Sequence, residues 1–151
     1  MKKKLVLVLL IFAATGLFLA GSLFRSVSER SVEHYLSNLS ADGLTKISIY
    51  GLGESVELYT AEEQEEILNH LDKFQATLGG DDSDTQAAGG IIFDIKLFYA
   101  DGREELVTLP AFRYPTLLGD RDFYLSIDGE KVEGAKKLYV PFRKYFRLLQ
   151  D

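Results

Sequence analysis

Cysteine is absent from this sequence. Its absence removes disulfides, thiolate zinc sites and cysteine nucleophiles at once, and it excludes a lipid-modified N-terminal cysteine. Histidine is nearly as scarce, with only His34 and His70 present. A zinc site needs three or four ligands closing on the metal, which two separated histidines do not supply. A serine nucleophile needs a base beside it, and no serine lies in a Gly-x-Ser-x-Gly setting. His70 sits beside Ile67 and Leu71 on a helical pattern, the ordinary place of a packed or surface helical histidine. Phosphate-cradling glycine loops are missing too, since Gly51-Leu52-Gly53 lies between strands and Gly79-Gly80 follows a helix instead of opening one.

Basic residues are in deficit over most of the chain. Three of the 17 lysines and arginines precede Leu5, and all 23 acidic residues follow Phe24, leaving 14 basic against 23 acidic residues and a formal charge of −9 on the remainder. A surface of that sign repels phosphate polymers, so nucleic acid is excluded as a partner.

What is present is one long apolar run. Met1-Lys2-Lys3-Lys4 is followed by Leu5 to Phe24, twenty residues without a charge. That length matches the roughly 20 residues needed to cross a hydrocarbon core and exceeds the roughly 7–15 of a usual signal-peptide core. Lysines ahead of the run keep the N-terminus cytoplasmic, which sends the remainder outside as a single-pass membrane protein, N-in and C-out. Length favours a retained anchor. The alternative is secretion after cleavage near residues 20–22, where Ala20, Gly21 and Ser22 offer small side chains.

The 151 residues leave room for one domain beyond the run. The division expected is a signal-anchor segment over 1–24, a juxtamembrane helix or stalk over 25–43 carrying Val32, Tyr35, Leu36 and Leu39 at helical spacing, and an extracytoplasmic domain over 44–151. Ile47 and Ile49, then Val56 and Leu58, alternate about Gly51-Leu52-Gly53 and predict a β-hairpin. Thr60 and Glu63 have the spacing of a capping box. A helix is predicted from about Ala61 to Ala76, with Ile67, Leu68, Leu71, Phe74 and Leu78 as its apolar stripe. Ile91 to Tyr99 and Arg103 to Leu109 form a second hairpin about Ala100-Asp101-Gly102. A proline-containing loop to Asp122 follows, then a strand over Phe123 to Ile127 and a short edge over Lys136 to Val140. Pro141 opens a basic amphipathic terminal helix bearing Phe142, Tyr145, Phe146 and Leu149. The fold class is therefore α+β: a transmembrane or signal helix, then an antiparallel sheet of about four to five strands packed with two helices.

Few residues invite chemistry. Asp81, Asp82 and Asp84 form an acidic loop and Asp120 with Asp122 a second, both calcium candidates, yet neither has the spaced ligands and distal glutamate of an EF-hand. No cofactor and no catalytic set is expected. Recognition remains. The segment Ala111 to Leu118 joins Phe112, Arg113, Tyr114 and Leu117 in a composition favoured at interfaces, and Arg143, Lys144 and Arg147 give the terminal helix a cationic face suited to anionic headgroups or envelope polymers.

Asp122 to Lys131, Leu138-Tyr139-Val140 and Phe142 to Leu149, with the earlier Tyr99-Ala100-Asp101-Gly102 turn, resemble the ends of small extracytoplasmic domains of unknown function from Gram-positive bacteria. That resemblance implies an anchored or secreted α+β domain and transfers no active-site residue; Gly134-Ala135 and the missing lipobox cysteine depart from it. The function expected is a non-catalytic, membrane-tethered extracytoplasmic interaction module binding a protein or envelope component. The alternatives are a calcium-responsive or hydrolytic domain using the acidic loops, or a minor structural subunit of a membrane complex.

Overall fold

A computed structural model describes residues 2–79, 91–129 and 136–147, with the side chains of the first helix described from Leu10 onward. That helix, α1, is Lys2–Ser37 without interruption, about 54 Å at 1.5 Å per residue. From Leu10 to Leu23 its side chains are exposed on every face, and the helix is long and apolar enough to cross a membrane. Thr15 Oγ1 donates to Ile11 O at 2.8 Å, which closes its hydroxyl within the helix.

From Ser28 the same helix changes role. Ser28, Val32 and Leu36, four residues apart, are buried, and Val32 and Leu36 belong to the one hydrophobic core of the domain. The segment over 25–43, expected to be a juxtamembrane helix or stalk, is helical to Ser37, and its apolar stripe packs into the core instead of facing water.

Among the described residues seven strands follow in two antiparallel sheets, more than the four to five expected in one. β1 (Leu44–Gly51), β2 (Glu54–Leu58), β4 (Phe93–Tyr99) and β5 (Glu104–Leu109) make sheet A in the order β2-β1-β4-β5. The alternation in β4 is complete: Phe93, Ile95, Leu97 and Tyr99 are buried and the residues between them are half-exposed. Leu52 and Gly53, both at positive φ, close the first hairpin as a primed turn whose twist suits paired strands. At Gly51 the backbone runs against an aromatic ring, since a Cβ there would stand 2.2 Å from Phe93 Cδ1.

β3 (Gln75–Leu78), β6 (Ala111–Thr116) and β7 (Gly119–Ser126) make sheet B in the order β3-β7-β6. Two expectations are corrected here. The helix α2 is Ala61–Leu71 and does not reach Ala76, because Gln75 to Leu78 pair with Phe123 to Ser126 and that long-range pairing outweighs helical spacing. The loop expected before Asp122 is a hairpin with Phe112 opposite Phe123; Pro115 is tolerated because β6 is an edge strand. The α2 N-terminus is as predicted: Thr60 Oγ1 accepts from Glu63 N at 3.3 Å and donates to Glu63 Oε2 at 2.7 Å.

The terminal helix is also corrected. Val140–Phe142 is a single 3₁₀ turn followed by further turns, and Lys136 to Val140 adds no strand. Phe142 and Phe146 are nonetheless fully buried, with ring centres 5.2 and 4.9 Å from that of Phe93. Rings anchor this segment together with its turn hydrogen bonds, among them Tyr145 N to Phe142 O at 2.9 Å and Phe146 N to Phe142 O at 3.1 Å. The α+β class holds, with an N-terminal apolar helix, α2 and two sheets around one core.

The free edge of β3 faces α1. Glu33 Oε1 accepts from Ala76 N at 3.0 Å and Glu29 Oε1 from Leu78 N at 2.8 Å, so two carboxylates take the place of a neighbouring strand. Glu33→Ala strips Ala76 N of its acceptor and is expected to destabilise the domain by about 1–3 kcal/mol, while Glu33→Gln, which keeps a carbonyl, retains most of the stability. Denaturant titration of the detergent-solubilised chain, with the exposed Glu65→Ala as reference, checks the order of the three.

Candidate functional site

Two grooves gather polar side chains. The first, of about 520 Å³, lies where the end of α1 meets β4, β5 and β6. Tyr35 is its floor. Its ring stacks on Phe112 with centres 5.8 Å apart and planes 13° apart, and meets Tyr114 at 5.3 Å. The Tyr35 hydroxyl donates to Glu105 Oε2 at 2.6 Å, tying the helix to β5. On the opposite wall the Arg103 guanidinium lies 4.1 Å from the centre of the Tyr99 ring, a cation–π arrangement. The two residues flank the Ala100-Asp101-Gly102 turn, which brings them together across the hairpin. Burial raises the Tyr99 pKa and the Arg103 charge opposes it.

This groove brings together residue types suited to recognition. Ser31 Oγ donates to Val27 O at 2.9 Å, so its hydroxyl is spent inside the helix. His34 meets Asn38, whose Nδ2 is 3.0 Å from His34 Nδ1 and 2.6 Å from His34 O. Exposed around it are His34, Asn38, Ser40 and Arg103, while Tyr35, Leu39 and Tyr114 are half-buried and Tyr99 is buried; aromatic and arginine side chains are the types that concentrate binding energy in buried contacts.

The second groove, of about 660 Å³, runs between α2 and the C-terminal turns, with Glu62, Glu65, Glu66 and Lys73 on one side and Arg143 and Lys144 on the other. His70 lies in its floor with Nε2 2.9 Å from Leu138 O; the carbonyl only accepts, so Nε2 carries the proton. Its ring is edge-on to Phe74 and Phe142. Burial lowers the His70 pKa, the Leu138 contact and Glu66 oppose that, and Lys73 adds to it. His70 is a clasp between α2 and the C-terminal segment.

The residues singled out from sequence part company. Phe112 is buried beneath Tyr35, and Tyr114 lines the first groove. Arg113 points outward with its Nε 3.8 Å from Asp120 Oδ2. Leu117 is 92 % exposed at the β6–β7 turn. Lys144 pairs with Glu66, so the cationic face meets the acidic α2, while Arg143 and Arg147 are exposed. Asp81, Asp82 and Asp84 lie outside the described residues. Among the described residues no three carboxylate or histidine side chains come together to hold a metal, and Asp120 and Asp122 are neighbours along a strand, not a loop. Tyr35, Tyr99 and Arg103 were missed as a site. Each was legible only as a helix or strand residue, and no local signal announces a groove built from segments about seventy positions apart.

Comparison with family models, with curated proteins and with solved structures finds no match to this chain.

Because burial disfavours the His70 imidazolium, the unfolded chain takes up the proton first as pH falls. This stability is full above the unfolded pKa near 6.5 and is lost as pH drops from there through the lower folded value. His70→Gln keeps a donor for Leu138 O and removes the titration. Melting temperatures between about pH 8 and 5 are expected to decline more steeply in the wild type than in the variant; parallel curves would show that another group sets the slope.

Proposed function

We propose that this protein is a non-catalytic, membrane-tethered interaction module whose domain lies outside the cytoplasm and binds a protein or envelope component in the groove of Tyr35, Tyr99, Arg103 and Tyr114. The observation that carries the proposal is the pairing of Arg103 on Tyr99 opposite Tyr35 and Tyr114. This is an aromatic and cationic surface in a concave place, where the Glu105 carboxylate is held by the Tyr35 hydroxyl and His34 is held by Asn38. Three lysines before an uncharged run support the N-in, C-out orientation. The likeness of the chain from Lys46 onward to Gram-positive extracytoplasmic domains supports the same location.

The position of the groove suits a partner near the same membrane. Asn38 lies fourteen residues beyond Phe24, so the groove is held about 20 Å above the end of the apolar run. An envelope protein with a modest external loop reaches that height.

A photo-cross-linking amino acid in place of Tyr114 or Arg103, in intact cells, is expected to capture a discrete partner that the same residue at Glu54, the exposed first residue of β2, does not. Arg103→Ala is expected to cut capture from the Tyr114 position about fivefold or more, as a binding-centre residue worth over about 1 kcal/mol does, with the melting temperature unchanged. Identical products from all positions would refute the groove as the binding surface. Retention of the anchor is tested separately by intact-mass analysis of membrane fractions: the expected chain starts at Met1 or Lys2, and one starting near Ser22 would mean a secreted domain.

A further inference from the structure

The two carboxylates on β3 fix the height of the domain against α1. Glu33 holds Ala76 N, and Glu29, one turn nearer the apolar run, holds Leu78 N. Four helical residues advance about 6 Å and two strand residues about 6.7 Å. The helix and β3 therefore run side by side in opposite directions, and β3 descends toward the membrane end of α1.

β7 is antiparallel to β3, with Leu78 opposite Phe123 and Gln75 opposite Ser126, so the beginning of β7 lies on the membrane side. Gly79 N still reaches Asp122 O at 2.9 Å. Below that level the ribbon of β6 and β7 continues as a pair, Thr116 opposite Gly119, to the turn at Leu117-Leu118. From Phe123, level with Glu29, to Leu118 is five residues or about 16 Å. The same distance along α1 is about eleven residues and ends level with Phe18. A lean of about 40° from sheet twist shortens it to about eight residues and ends level with Gly21. Both levels fall within Leu5 to Phe24.

The tip is built for that depth. Leu117 and Leu118 are 92 % and 65 % exposed. Within the turn Leu118 N donates to Thr116 Oγ1 at 3.2 Å and Thr116 Oγ1 donates to Gly119 O at 2.7 Å, which closes these groups internally as a lipid surround favours. Behind the leucines Arg121 is exposed and Arg113 lies beside Asp120, long cationic side chains of the kind that reach to headgroup level.

We infer that the β6–β7 tip is a second membrane contact, with Leu117 and Leu118 entering the boundary of the bilayer that α1 crosses. This rests on reading α1 as a span. The two contacts together hold the domain at one tilt, with the Tyr99–Arg103 groove turned away from the lipid.

The cysteine-free sequence permits clean single-site labelling. Full-length chains carrying Leu117→Cys, Leu17→Cys in the apolar run, or Ser37→Cys at the far end of α1 would be labelled with an environment-sensitive fluorophore. Each would be reconstituted in phosphatidylcholine–phosphatidylglycerol vesicles containing lipids with a nitroxide quencher near the headgroup. Position 117 is expected to show blue-shifted emission and quenching close to that at position 17, with position 37 unquenched. Quenching at 17 with a water-like signal at 117 would overturn the tip contact and leave the span standing. No quenching at 17 would overturn the span and the tip contact with it. Adding Leu118→Asp to the Leu117→Cys chain is expected to weaken quenching at 117, and its persistence unchanged would count the leucines out as the cause.

Discussion

Two backbone N–H groups on the outer side of β3, those of Ala76 and Leu78, have to be satisfied for this fold to exist. A strand edge left open invites pairing with another chain, and a buried donor left bare costs as much as a hydrogen bond is worth or more. Glu29 and Glu33 meet the requirement from α1. Carboxylates four residues apart on a helix repeat at nearly the spacing of alternate strand residues, so one helix face satisfies two successive outward donors. Val32 and Leu36 beside them seat in the core, and the polar and apolar contacts set a single register between helix and sheet.

The other half of the core is organised around Phe93. Its ring meets Tyr139, Phe142 and Phe146 at 4.9 to 5.4 Å and fills the space that Gly51 leaves open on β1. This explains how a C-terminal segment with one 3₁₀ turn stays in place. It is held by aromatic packing, by Tyr139 Oη on Ile91 O at 3.0 Å and by the His70 clasp on Leu138 O. Sheet A, sheet B and α2 contribute to one core, so the groove at Tyr35 inherits its shape from all of them.

Elements whose signal is local were readable from sequence. The alternation of β4, the Gly-containing turn of the first hairpin, the Asp-Gly turn of the second and the Thr60–Glu63 cap each combine side-chain period and backbone chemistry within a few residues. The failures share a cause. Phe74 and Leu78 continue the stripe of α2 at helical spacing, yet Gln75 to Leu78 form a strand because β7, some fifty residues on, supplies its partner. Phe142 and Phe146 have the spacing of a helix because they flank one turn, and nothing local reveals that Phe93 is what they need. Pro115 marked a loop, and only the edge position of β6 makes a strand there acceptable. The groove was hidden for the same reason: Tyr114 carried an interface signal of its own, while Tyr35 and Arg103 gain theirs from being brought together.

The continuity of α1 separates two matters that the sequence joins. A stalk followed by a hinge would let the domain drift, and the fate of the apolar run would then decide little about the fold. Here the first buried side chain among those described in the helix is Ser28, beyond any of the small residues at 20–22, and the caps on β3 begin at Glu29. Cleavage near Ser22 would therefore remove no residue of the core and neither cap. The residues that make the core are thus the same on either reading of Leu5 to Phe24, and what an anchor would add is placement. Retained, the rigid passage from Phe24 to Leu36 converts a lipid-embedded helix into a fixed height and facing for Tyr35, Tyr99 and Arg103, which a free domain with the same groove would not have.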